Sequence, residues 1–140
     1  MNKKGFTLVE LLAVILILSV LIIIGTISIN AIVDGIRKNM LETKIDSIEE
    51  AAIYYGQNNM KELKETCTVN DIEYKFCIEK TVQELLDAKA LESEEKDENG
   101  NIILKNNVTN TSMNEDTVLI YRKNNRVYAV IKNIKSNGGI

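Results

Sequence analysis

Met1-Asn2-Lys3-Lys4-Gly5-Phe6-Thr7-Leu8-Val9-Glu10 leads without a break into Leu11–Ile24, a run whose only polar residue is Ser19. A short basic start, a glycine, a phenylalanine and one carboxylate thus stand ahead of a continuous aliphatic stretch. Apolar character continues more weakly to Val33. A helix from Phe6 to Val33 would be about 42 Å long, more than the roughly 30 Å hydrocarbon core of a bilayer. The segment can therefore span a membrane once. Lys3 and Lys4 at its head predict a cytoplasmic N-terminus by the positive-inside rule, which puts the rest of the chain outside.

Two ordinary explanations of such a segment fall short. A cleaved secretory signal ends in a small-residue cleavage site, and none fits after Ile24; the apolar stretch is also too long. A plain membrane anchor explains the length and the lysines but not Glu10. A carboxylate in a membrane segment is costly and is usually kept for a specific partner.

Lys4-Gly5-Phe6-Thr7-Leu8-Val9-Glu10 followed by an aliphatic run resembles the class III signal sequence of type IV prepilins and type II secretion pseudopilins. The resemblance implies cleavage between Gly5 and Phe6 by a membrane-embedded prepilin peptidase, with N-methylation of the new terminus at Phe6. Residues 1–5 would be the leader, residues 6–33 the transmembrane and fibre-core helix, and Glu10 the charge that registers subunits during assembly. It further implies other pilin or pseudopilin subunits and an inner assembly platform as partners. The precursor would sit in the cytoplasmic membrane, single-pass with its head outside, and the mature subunit in a cell-surface filament. Ala51-Ala52-Ile53-Tyr54-Tyr55 resembles the spine of many Gram-positive prepilins. One departure stands out: many members carry a proline part-way along the membrane helix, where this chain has Ile27 and no proline anywhere.

Composition narrows the function classes independently. Seventeen Lys and Arg against twenty Asp and Glu give a net charge of −3, without the concentrated basic surface nucleic acid requires. No histidine is present, which removes the commonest general base and the commonest zinc ligand. No nucleophile–base pair, metal site or cofactor motif is visible, so the chain reads as a non-enzyme. The two cysteines, Cys67 and Cys77, allow a disulfide around Thr68–Phe76, which loop-closure arithmetic values at roughly 2–3 kcal/mol. Two free thiols are the alternative, and both readings stay open.

Beyond the membrane segment, residues 34–63 continue as an amphipathic helix. Leu41, Ile45, Ile48, Ala52 and Tyr55 form one stripe at helical spacing, placed to pack under the protein's own head. Residues 64–140 form that head. Thr81 with Glu84 makes a capping box for a short helix over Thr81–Leu91. The acids of Glu92–Glu98 read as a solvated loop, without the glycine-centred spacing of a calcium loop. Ile102–Leu104, Thr117–Lys123 and Arg126–Ile134 are strand candidates. The last two flank Asn124-Asn125, a two-residue hairpin turn that sets Tyr121 opposite Tyr128, Leu119 opposite Val130 and Val118 opposite Ile131.

The fold class that follows is α+β: a long N-terminal α-helix, transmembrane then amphipathic, with a head of one short helix and about three antiparallel strands. The function is structural, as a subunit of a type IV pilus or of a type II secretion or competence-like filament. Two rivals stay open: a minor or competence-type pseudopilin whose head binds DNA, and a membrane-anchored protein unrelated to filaments.

Overall fold

A computed structural model describes residues 7–132. The chain divides into two compact units, the first ending at Arg37 and the second beginning at Lys38. Helix α1 runs over Leu8–Asn58. It is followed by a 3₁₀ turn at Met60–Glu62 and by strands β1 (Glu65–Val69) and β2 (Ile72–Thr81). Helix α2 (Val82–Asp87) and strands β3 (Thr117–Lys123) and β4 (Arg126–Ile131) complete the order.

In the first unit, the helix is apolar on all sides and every large side chain of Leu8–Ile24 is exposed. The absence of proline lets the helix pass Gly25 and Ile27 without interruption, since neither residue removes a backbone donor. Ser19, the polar exception, turns its hydroxyl inward and donates to the Ile15 carbonyl at 2.7 Å.

In the second unit the pattern narrows to the expected stripe. Ile48 and Ala52 are wholly buried, and Leu41, Ile45 and Tyr55 are partly buried against the same core. Val118, Ile120 and Val127 of the β3–β4 hairpin and Val82 and Leu85 of α2 belong to that core. The hairpin therefore covers the stripe, in the register that its two-residue turn dictates: Tyr121 pairs with Tyr128, Leu119 with Val130 and Val118 with Ile131. Asn124 and Asn125 supply the turn with φ of 48° and 63°, a backbone region asparagine enters at low cost.

Four features depart from the sequence reading. The amphipathic helix stops at Asn58 and not near Leu63. There the Asn59 side-chain amide donates to the Tyr55 carbonyl at 2.9 Å, competing with helical continuation, and the 3₁₀ turn carries Leu63 into the core. Helix α2 is shorter than expected. Its capping box is present, but Lys89 at φ 56° ends it, with Lys89 N–H donating to Leu86 O and Ala90 N–H to Leu85 O, both at 3.0 Å. That is the Schellman arrangement, with lysine where glycine is usual.

Ile102–Leu104 is not a strand. It lies in a long connection held by the isolated bridges Lys96–Ile102 and Lys105–Ser112 and by side chains. Asn114 accepts from Leu104 N–H at 2.9 Å, and Lys44 Nζ donates to Glu95 at 2.6 Å and to the Lys105 carbonyl at 2.7 Å. Burial works against the charge of Glu95, but the bonds from Lys44 and the Lys105 N–H prevail and hold its carboxyl below the usual carboxylate range. The strand missing from the sequence reading is instead the β1–β2 hairpin. It brings the antiparallel sheet to four strands in the order β1-β2-β3-β4.

The sheet approaches the helix closely because of what α1 presents there: Ala51, Ala52 and Gly56. A Cβ on Gly56 would come within 2.6 Å of Ile120 Cγ2 and 2.8 Å of Val127 Cγ1. Alanine would gain about 1 kcal/mol of helix propensity, yet overpacking typically costs 1–3 kcal/mol. Gly56→Ala is therefore expected to lower the stability of a fragment beginning at Asp34 by about 1 kcal/mol. Urea unfolding would measure it; an unchanged or raised midpoint would show that the sheet yields.

Candidate functional site

Chemically distinctive residues gather in two places, the start of α1 and the sheet face turned away from it. Gly5 and Phe6, the expected cleavage and methylation positions, lie outside the described residues. The residues just after them do define how the helix begins. Thr7 is non-helical and Leu8 opens α1. The Thr7 backbone N–H and its hydroxyl both donate to Glu10 Oε2, each at 2.9 Å. In return Glu10 N–H donates to Thr7 Oγ1 at 3.3 Å. This is a capping box: each residue satisfies a backbone donor that the first helical turn leaves unpaired.

Glu10 therefore has a partner within its own chain, and its charge stands in the first turn, where the helix macrodipole favours an anion. The Thr-x-x-Glu signal was present in the sequence. It went unread because Glu10 was weighed only as a membrane carboxylate, whereas the same pattern at Thr81–Glu84 was read as a cap.

The helix that follows is long and apolar enough to cross a membrane. Its most apolar window of 18 residues has a mean hydropathy of 3.1, and none of it is buried. Isolated exposed apolar residues are normal on proteins, but a continuous apolar cylinder is not. It requires lipid or other helices around it.

On the far face of the sheet, Cys67 and Cys77 are joined by a disulfide with Cα atoms 6.0 Å apart. Local pairing explains how they meet. Glu65 pairs with Cys77 and Cys67 with Tyr74, so β2 advances three residues while β1 advances two. This irregularity sets both sulfurs on one face. Beside them Tyr74, Tyr121 and Tyr128 stack across neighbouring strands, with ring centroids 4.7 Å and 5.7 Å apart. Burial, with the neighbouring tyrosines, raises the Tyr121 hydroxyl above the usual phenol range. The sequence reading anticipated the Tyr121–Tyr128 pair but missed Tyr74, because it missed β2.

Among the described residues no three Cys, Asp or Glu side chains converge as a metal would require. Within the acidic run, Glu95 is engaged by Lys44. Asp97 closes its own loop, accepting from the Asn99 and Asn101 backbone N–H groups at 2.9 and 2.8 Å. Part of what read as plain solvated charge is thus structural.

Against known proteins, residues 1–26 match the family model described as the prokaryotic N-terminal methylation motif. No curated protein and no solved structure matches the chain.

The bridge stitches an edge strand to its neighbour. Intact mass of the Asp34–Ile140 fragment, purified in air, should fall about 2 Da below that of its reduced form, and Cys67→Ser with Cys77→Ser should lower its stability by roughly 2–3 kcal/mol. Two alkylatable thiols in the purified fragment would contradict the bridge.

Proposed function

We propose that this chain, whose N-terminus carries the methylation motif of type IV prepilins and pseudopilins, is a non-catalytic structural subunit of a helical filament. The observation that carries this reading is the pairing of that motif with an apolar helix whose side chains have nothing covering them. In the precursor, lipid surrounds Leu11–Val33, with the basic leader in the cytoplasm and the head outside. Prepilin peptidase cuts after Gly5 and methylates Phe6. Assembly then exchanges lipid for the helices of other subunits, a transfer between two apolar surroundings. It costs far less than exposing the segment to water.

Glu10 is the charge that makes such assembly selective. While the leader is attached, Phe6 has no free amine and the Thr7 cap is the partner of Glu10. Cleavage creates a cationic terminus four residues away. In a fibre that amine and Glu10 of a neighbour neutralise one another only at the correct axial offset. A slip leaves both charges unpaired in a low-dielectric core.

Processing is tested in a host that carries the peptidase. Mass spectrometry should find a mature chain beginning at N-methylated Phe6, and Gly5→Leu should leave the precursor at full length, because the peptidase must fit a small residue before the cut. A mature chain beginning at Met1 would overturn the assignment.

Registration is tested separately. Glu10→Leu should insert and be cut as the parent is, yet give little or no sheared fibre although it is more hydrophobic. Fibre yield at the parent level, measured beside the membrane pool, would end the register role.

A further inference from the structure

Helix α2 and the segment that follows it enclose an open groove on the head. Its apolar lining is Leu86, Leu91 and Ile102, with Gln83 and Ser93 beside them, and Ile102 is 48% exposed. Its rim carries Asp87, Glu92 and Glu94 against one cation, Lys89. Glu92 and Glu94 make no ion pair among the described residues, and Asp87 only accepts a hydrogen bond from Gln83 at 2.9 Å. An apolar floor with an anionic rim fits a small protruding segment that is cationic and partly apolar.

The same chain presents such a segment. The β3–β4 turn projects Lys123 and Arg126 on either side of Asn124-Asn125, all exposed, and neither cation has an ion-pair partner among the described residues. Tyr128, 37% exposed, stands just behind them. The adjacent cation, Arg122, is already occupied, lying over the Phe76 ring at 4.2 Å. The turn is narrow, because both asparagines are left-handed, so the two cationic side chains leave the backbone from paired positions.

The groove and the turn are each held against α1. The segment that forms one wall of the groove is tied to α1 at Lys44 through Glu95. The turn lies against the end of α1, beside Gln57 and Met60. The other wall of the groove, α2, is tied nearer that end, because Glu84 pairs with Lys80, whose ammonium lies 5.6 Å from the Tyr55 ring centroid. A turn and a socket on one chain, complementary in charge, can be satisfied by the socket and turn of other copies. Repeated head to tail, such a contact gives a ring where the rotation closes and an open array where it does not, and a filament takes the open array.

We propose that the groove receives the β3–β4 turn of a second copy of this chain, Lys123 and Arg126 facing Asp87, Glu92 and Glu94 across an apolar floor. The inference rests on the filament reading above and adds to it a contact between heads, independent of the apolar helices.

The full-length chain is expressed in a host with the assembly machinery. Lys123→Glu with Arg126→Glu should cut sheared-fibre yield at least about tenfold at an unchanged membrane pool. Adding Glu92→Lys and Glu94→Lys to that chain should restore it. Independently, Lys123→Cys with Glu94→Cys should give a ladder of covalent oligomers when fibres are treated with a short bis-maleimide, and each single variant should stay monomeric. Parent-level fibre from the charge-reversed chain would overturn the contact while leaving the filament reading standing. Loss without restoration by the swap, or cross-links to a different protein, would also overturn it, by showing that the turn docks elsewhere. Absence of fibres from the parent chain would overturn both readings together.

Discussion

Everything in this protein answers to one constraint: the side chains of Leu8–Ile24 form an apolar cylinder that the chain itself does not cover. A continuous surface of this kind, at roughly 25 cal/mol per Å² of apolar area, cannot be left in water. Lipid or other helices must enclose it. Because both enclosures are apolar, moving between them disturbs the hydrophobic term little. The polar content at the start of the helix is sparse. That content amounts to Thr7 and Glu10, bound to each other.

The same helix serves a second purpose beyond Lys38, and its composition changes accordingly. Apolar residues retreat to a stripe, charged residues fill the other faces, and small residues appear where the sheet comes close. In this second unit the head is organised in two ways. Ile48, Ala52, Val118 and Ile120 form an ordinary packed core. The connection between α2 and β3 is held mostly by side-chain hydrogen bonds, with Asn106 buried and accepting from Val108 and Thr109 N–H at 2.9 and 3.2 Å.

That division explains what the sequence could and could not reveal. The helix and its stripe were legible because their signal is periodic. The β3–β4 register was legible because a two-residue turn leaves no freedom in the pairing. The β1–β2 hairpin was not, although Asn70 and Asp71 close it with the same left-handed turn. Its strands are largely exposed and carry Glu65, Glu73 and Lys75, so alternation is blurred. The α2–β3 connection was illegible for a different reason. Hydrogen bonds from Asn106, Asn114 and Glu95 have no period, and a run such as Ile102–Leu104 looks like a strand whether or not a partner exists. At the N-terminal site the types and spacing of residues pointed to Glu10, but not to the local cap that holds it.

The strand order carries one more consequence. Each strand lies beside its predecessor in the chain, so the β1–β2 and β3–β4 hairpins form locally, while β2 waits for β3 across the long α2–β3 connection. Hairpin pairing is local, and local contacts go with rapid folding. The β1–β2 ladder can form once Thr81 is available, and β4 closes on β3 through a turn of two residues. From the N-terminal end onward the chain supplies the helix first, then the β1–β2 hairpin, then the two strands that complete the sheet. The inner edge of β2 stays open until β3 arrives, and that one delay separates the local steps from the closing of the core.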